Sequence, residues 1–121
     1  MSGRAGTSDD RGSATIWAVG GIAVLCLVAA VVLVCGAVVQ TRHRTIAAAD
    51  LAALAAAAYT PYGQEAACTR ATWVADRMRV HVRSCRLSGW DALVAVSAAL
   101  PGELSGFGQV TAHSRAGPVD P

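Results

Sequence analysis

The side chains with the widest chemical range in this sequence of 121 residues are three histidines, His43, His81 and His113, and four cysteines, Cys26, Cys35, Cys68 and Cys85. The histidines stand far apart, and none sits in an HxxxH spacing or next to a carboxylate. Structural zinc needs four ligands, so Cys68 and Cys85 alone are too few. No nucleophile elbow, phosphate-binding loop or dinucleotide loop occurs. Gly106-Phe107-Gly108 lacks the third glycine and the strand-to-helix setting such a loop requires. No serine, histidine and aspartate are spaced as a triad. We therefore expect no catalytic residues, no metal, no cofactor, no small-molecule substrate and no enzymatic activity. Formal net charge is only +2, and no basic stripe is interleaved with aromatics, so no nucleic-acid partner is expected.

Thiol chemistry remains. Cys26 and Cys35 lie nine residues apart in an apolar run, on opposite sides of a helix, and read as small apolar fillers. Cys68 and Cys85 lie downstream in what must be a small domain. In an oxidising compartment they form a disulfide worth about 3 kcal/mol in the chain-entropy model. In a reducing one they are two buried thiols.

The elements that position these groups begin with residues 14–39, ATIWAVGGIAVLCLVAAVVLVCGAVV, which contain no charge. At about 1.5 Å per residue they span roughly 39 Å as a helix, more than the ~30 Å core of a bilayer. Residues 13–41 thus read as a transmembrane helix in contact with lipid. The run is too long for the apolar segment of a secretory signal peptide. Trp17 near one end and Arg42 and Arg44 at the other are expected as membrane-interface anchors. Arg4 and Arg11 on one side nearly balance Arg42 and Arg44 on the other, so charge alone barely sets the orientation. Residues 1–12, MSGRAGTSDDRG, read as a disordered tail.

Residues 42–59 continue as helix, because Ala and Leu favour it and no Gly or Pro intervenes. Ala47, Leu51, Leu54 and Ala58 share one stripe and are expected to be the helix-packing residues. The other faces are nearly all Ala, with Asp50 the one charge after Arg44. Thr60-Pro61-Tyr62-Gly63 ends the helix. A second helix is expected over 64–79, then strands over 80–87, 92–99 and 109–115. Along the first strand the apolar parity slips from Val80 and Val82 to Cys85 and Leu87. Either a bulge lies near Ser84 or Cys85 faces away from the valines. Trp73 and Trp90 are expected in the core or at its edge. The fold class is thus an α+β membrane protein. Its long N-terminal transmembrane helix extends into a helix hairpin packed on an antiparallel sheet of about three strands. Residues 42–115 form the small α+β domain, and residues 116–121 form a flexible end.

Three pieces of the sequence carry a resemblance. They are Arg11-Gly12-Ser13-Ala14-Thr15 before the apolar run, Arg42-His43-Arg44 after it, and AADLAALAAA at Ala48–Ala57. Together they resemble the TadE/TadG-like pseudopilins of Flp (tight-adherence) pilus systems. Glu65-Ala-Ala-Cys68, Ser84-Cys85-Arg86-Leu87 and Gly89-Trp90-Asp91 look like the short actinobacterial TadE-like branch. The resemblance implies a minor pseudopilin or assembly component of a Flp-type pilus or secretion system, acting by helix packing. Its partners would be other pilus or secretion subunits. It implies a single pass through the inner membrane, with the N-terminus cytoplasmic and the domain outside, where Cys68 and Cys85 meet oxidising conditions. It also places a prepilin-type cleavage point at Gly12 and Ser13. Processed members carry Glu five residues after the cut, and this chain has Trp17 there. The contrasting reading is a membrane-anchored adaptor or regulator with a small extracytoplasmic binding domain.

Overall fold

The computed structural model describes the backbone of residues 3–119 and the side chains of residues 11–119. The outermost residues of both expected tails, 1–2 and 120–121, lie outside the described residues. The layout is α+β: helix α1 (Gly3–Ala58), helix α2 (Gln64–Arg77), and strands β1 (His81–Ser88), β2 (Asp91–Ala99) and β3 (Gln109–Ala116). By internal contacts the chain divides into Met1–Gly36 and Ala37–Pro121.

In the first unit, α1 starts at Gly3. No proline interrupts this stretch, and Thr15 returns its hydroxyl to the Arg11 carbonyl at 3.0 Å, keeping a polar group inside the helix. Every side chain from Arg11 to Gly36 is exposed, including Ile16, Leu25 and Leu33. Among the described residues, α1 is the one helix long and apolar enough to cross a membrane.

The second unit begins with the remainder of α1. Its two buried threonines satisfy themselves along the helix: Thr41 donates to the Ala37 carbonyl at 2.9 Å and Thr45 to the Thr41 carbonyl at 2.6 Å. Pro61, which lacks an N–H, follows in a single 3-10 turn over Thr60–Tyr62. Gly63 then takes φ 102°, a region open to glycine, and its carbonyl receives the Ala67 N–H. This lets α2 fold back from α1.

Helix α2 ends two residues before the expected Arg79. Its end is a Schellman arrangement: Val80 N–H reaches the Ala75 carbonyl at 3.0 Å and Arg79 N–H reaches that of Asp76 at 3.2 Å. The motif needs a left-handed residue, and Arg79 supplies it at φ 60°. Val80 and Ala75, both buried, make the apolar contact that accompanies such an end.

The sheet is antiparallel in the order β1-β2-β3. The parity slip in β1 is a bulge. Val82 pairs with Val96, Ser84 with Ala95, and the register shifts between them around Arg83. One extra residue returns Cys85 and Leu87 to the side of Val82, opposite Val94 and Ala92. On β3, Val110, Ala112, Ser114 and Ala116 pair with the core-facing residues of β2.

The core between helices and sheet is built from small side chains. Ala48, Ala49, Ala52, Ala53 and Ala56 of α1 and Ala67, Ala71 and Ala75 of α2 meet Val94, Val96 and Ala112 of the sheet. The largest fully buried side chains are Val80, Val94, Val96 and Thr45. Trp73 and Trp90, expected in or beside the core, are both exposed.

Candidate functional site

With the core lined by Ala, the larger side chains of the second unit fall on its outside. The stripe expected to pack, Ala47, Leu51, Leu54 and Ala58, is exposed, with Leu51 at 49% and Leu54 at 59%. The stripe that packs within the chain is instead Thr45, Ala48, Ala49, Ala52, Ala53 and Ala56. Alanine lets the helix axis approach the sheet more closely than leucine does, so the smaller face wins the interior. The two faces are fixed in rotation by Asp50, whose Oδ1 accepts the Ser114 hydroxyl at 2.6 Å. Ile46 joins the outer face. An exposed Ile, Leu and Leu on one helix face is an unpartnered apolar surface of the kind that marks contacts with other molecules.

Cys68 and Cys85 are joined in a disulfide that pins α2 to β1. Gln64, one turn earlier on α2, ties the same two elements beside it, its Oε1 accepting the Leu87 N–H at 3.5 Å. Cys26 and Cys35 are free and exposed on α1. Gly12, Ser13 and Trp17 are exposed helical residues of the first unit, and Arg42 and Arg44 are exposed on the second. His43, His81 and His113 are all exposed and are not brought together. Across the outer face of the sheet, Arg83 donates to Ser97 Oγ at 2.9 Å and also to Gln109, and Arg115 pairs with Asp91.

The i, i+4 spacing of Trp73 and Arg77 lets the two stack, and the structure adds Arg70, Tyr59 and Tyr62 to that pair. Arg70 Cζ lies 4.2 Å from the Trp73 ring centroid and Arg77 Cζ 4.5 Å from it. The i, i+3, i+7 spacing of 70, 73 and 77 was the available signal.

Residues 12–58 match the family described as "Putative Flp pilus-assembly TadE/G-like". This stretch is similar to TadE/G-like segments. It takes in the uncovered apolar run and the whole Ala-rich half of α1, ending where α1 ends. A curated relative, "Apoptosis inhibitor Rv3654c" of Mycobacterium tuberculosis (strain ATCC 25618 / H37Rv), is 58% identical over 52 residues. That match covers 43% of this chain and 62% of the relative, so the chain spans less than two thirds of the relative's length. No solved structure matches the chain. A long apolar N-terminal helix in a stretch similar to TadE/G-like segments fits a membrane-anchored protein.

Proposed function

We propose that the protein is a single-pass membrane pseudopilin-like component of a Flp-type pilus or related secretion system, working by helix packing and without catalysis. The observation that carries this is the two-faced second half of α1. Its Ala stripe is consumed by the chain's own core, and its Ile46–Leu51–Leu54 face is left open inside the TadE/G-like segment. Residues 13–41 cross the cytoplasmic membrane, with Trp17 at one interface and Arg42 and Arg44 at the other. The second unit lies outside the cytoplasm, where the Cys68–Cys85 disulfide is maintained.

In this reading the segment stays uncleaved as a signal anchor. Trp17 stands where a processed pilin carries the carboxylate that meets a neighbouring amine, and an indole accepts no such proton. N-terminal sequencing of protein taken from membranes tests this: a start before Gly12 is expected, and a start at Ser13 contradicts it.

The function itself is tested by co-purification from detergent-solubilised membranes. Pilus-assembly or secretion subunits should be recovered with the intact chain and lost with Leu51→Ser plus Leu54→Ser. Recovery of unrelated proteins alone would support the membrane-anchored adaptor instead.

A further inference from the structure

The proposed membrane crossing and the folded second unit overlap in sequence. The second unit begins at Ala37; Ala37 and Val38 are half-buried and Thr41 is 4% exposed. All three lie within residues 13–41, before the expected interface residue Arg42. Alanines earlier in the run, Ala29 and Ala30, are exposed. No linker therefore separates the span from the domain. Residues 37–41 cover about 7.5 Å of helix, close to the roughly 9 Å by which the apolar run exceeds a hydrocarbon core. The base of the domain is thus held at headgroup depth.

Contacts within the second unit show which elements form that base. Antiparallel pairing brings together the start of β1, the end of β2 and the start of β3. The β1–β2 hairpin lies at the opposite end, where Gln64 meets Leu87. Helix α1 ends at Ala58, just before Gln64, so it runs toward the hairpin end. On the way Asp50 meets Ser114 of β3. Counting back from that contact, Thr41 lies about 13.5 Å down the helix and Gln109 about 17 Å down β3. Residues 37–41 are therefore level with the start of β3 and the loop before it. That loop, residues 100–108, and the turn at Arg79 between α2 and β1 form the base.

The base carries the side chains that a lipid surface takes. Phe107 stands between Gly106 and Gly108 and is 83% exposed. The loop that displays it is held by two backbone bonds, Leu104 N–H to the Pro101 carbonyl at 3.2 Å and Gly108 N–H to that of Ser105 at 3.5 Å. Exposed arginines at this end, Arg42, Arg44, Arg77 and Arg79, outnumber the acids Asp76 and Glu103. Apolar rings settle at the boundary between headgroups and acyl chains, and basic residues beside it are drawn to anionic lipid. Trp90, also exposed, sits in the hairpin about 27 Å along β2 from the base and is out of reach of the same surface.

We propose that the 100–108 loop is a second membrane contact of this protein. Phe107 enters the headgroup–acyl boundary of the leaflet from which α1 emerges, and the arginines of the base lie on anionic headgroups. With two points of attachment the domain cannot turn about the axis of α1. Its Ile46–Leu51–Leu54 face is then presented in one fixed direction along the membrane. The inference rests on the single-pass reading and goes beyond it.

The test uses the full chain in vesicles of phosphatidylcholine and phosphatidylglycerol, with and without lipid brominated near the top of its acyl chains. Tryptophan emission is read from three chains with one tryptophan each. The first keeps Trp17, the second keeps Trp90, and the third carries Phe107→Trp, the remaining tryptophans being changed to Phe. Every changed position is exposed, and retention of the Cys68–Cys85 disulfide checks folding. Ser105→Trp is a second reporter on the same loop. Brominated lipid should quench emission from positions 17 and 107, with a blue shift at 107, and leave Trp90 unchanged. Quenching at 107 should fall when phosphatidylcholine replaces phosphatidylglycerol. Quenching at 17 with none at 107 or 105 overturns the loop contact and leaves the span standing. Equal quenching at 90 and 107 overturns it too, because the domain then has no preferred end toward the lipid. No quenching at 17 overturns the span itself.

Discussion

Ile16 to Val34 and Thr45 to Ala56 belong to one helix, and their side chains are opposites. The first stretch carries Ile, Leu, Val and Trp on every side, all exposed. The second carries Ala on the side that is buried and Ile and Leu on the side that is not. A helix in lipid gains from large apolar side chains all round, because its surroundings are as apolar as it is. A helix set on a sheet gains from small ones that let the layers close. Side-chain size thus separates the two halves of one helix, in the way the proposed membrane anchor requires.

Four changes break or sharpen that contrast. An Ala-lined core buries little apolar area per residue, so the second unit depends on its cross-link. Replacing both Cys68 and Cys85 by Ala should cost about 2–5 kcal/mol, read as a lower thermal midpoint in detergent. No loss would mean that the small core suffices. A charge in the first stretch, Leu27→Arg, should cost about 3 kcal/mol of insertion and reduce the membrane-bound fraction. The unfolding midpoint of the second unit should stay unchanged. In the second stretch the contrast lies between faces: Ala52→Leu should overpack the core and cost about 1–3 kcal/mol, whereas Leu54→Ala should change stability by under about 0.5 kcal/mol. Equal effects would erase the distinction between the faces. The smallest effect is a gain. Arg79→Gly relieves the left-handed position at the end of α2 and should stabilise the second unit by about 1 kcal/mol.

Much of this fold is legible in the residues. Pro61 and Gly63 mark the turn between the helices, and the change from period 3.6 to period 2 after Arg79 marks the sheet. The parity slip between Val82 and Cys85 already holds the bulge, though not the choice between a bulge and an outward cysteine. That choice depends on pairing with Val94 and Val96, which is a property of two strands and not one.

The face of α1 that packs was not legible. In an Ala-rich helix, Leu51 and Leu54 are the strongest apolar markers, and they mark the outer face and not the one buried within the chain. The core selects for closeness of approach, so its signature is the absence of large side chains. Trp73 misleads in the same way: its size suggests burial, but Arg70 and Arg77, one helical face with it, hold it at the surface. The left-handed Arg79 gave no local sign, since glycine is the usual residue there.

The central claim is that the outer face of α1 is the assembly surface and the Ala face is not. A photo-crosslinking residue placed at Leu54 or at Ala53 in cells tests it most directly. The account predicts adducts with pilus-assembly or secretion subunits from position 54, and adducts only within the chain from position 53. Intermolecular adducts from 53, or none from 54 while the protein is folded in the membrane, would contradict it.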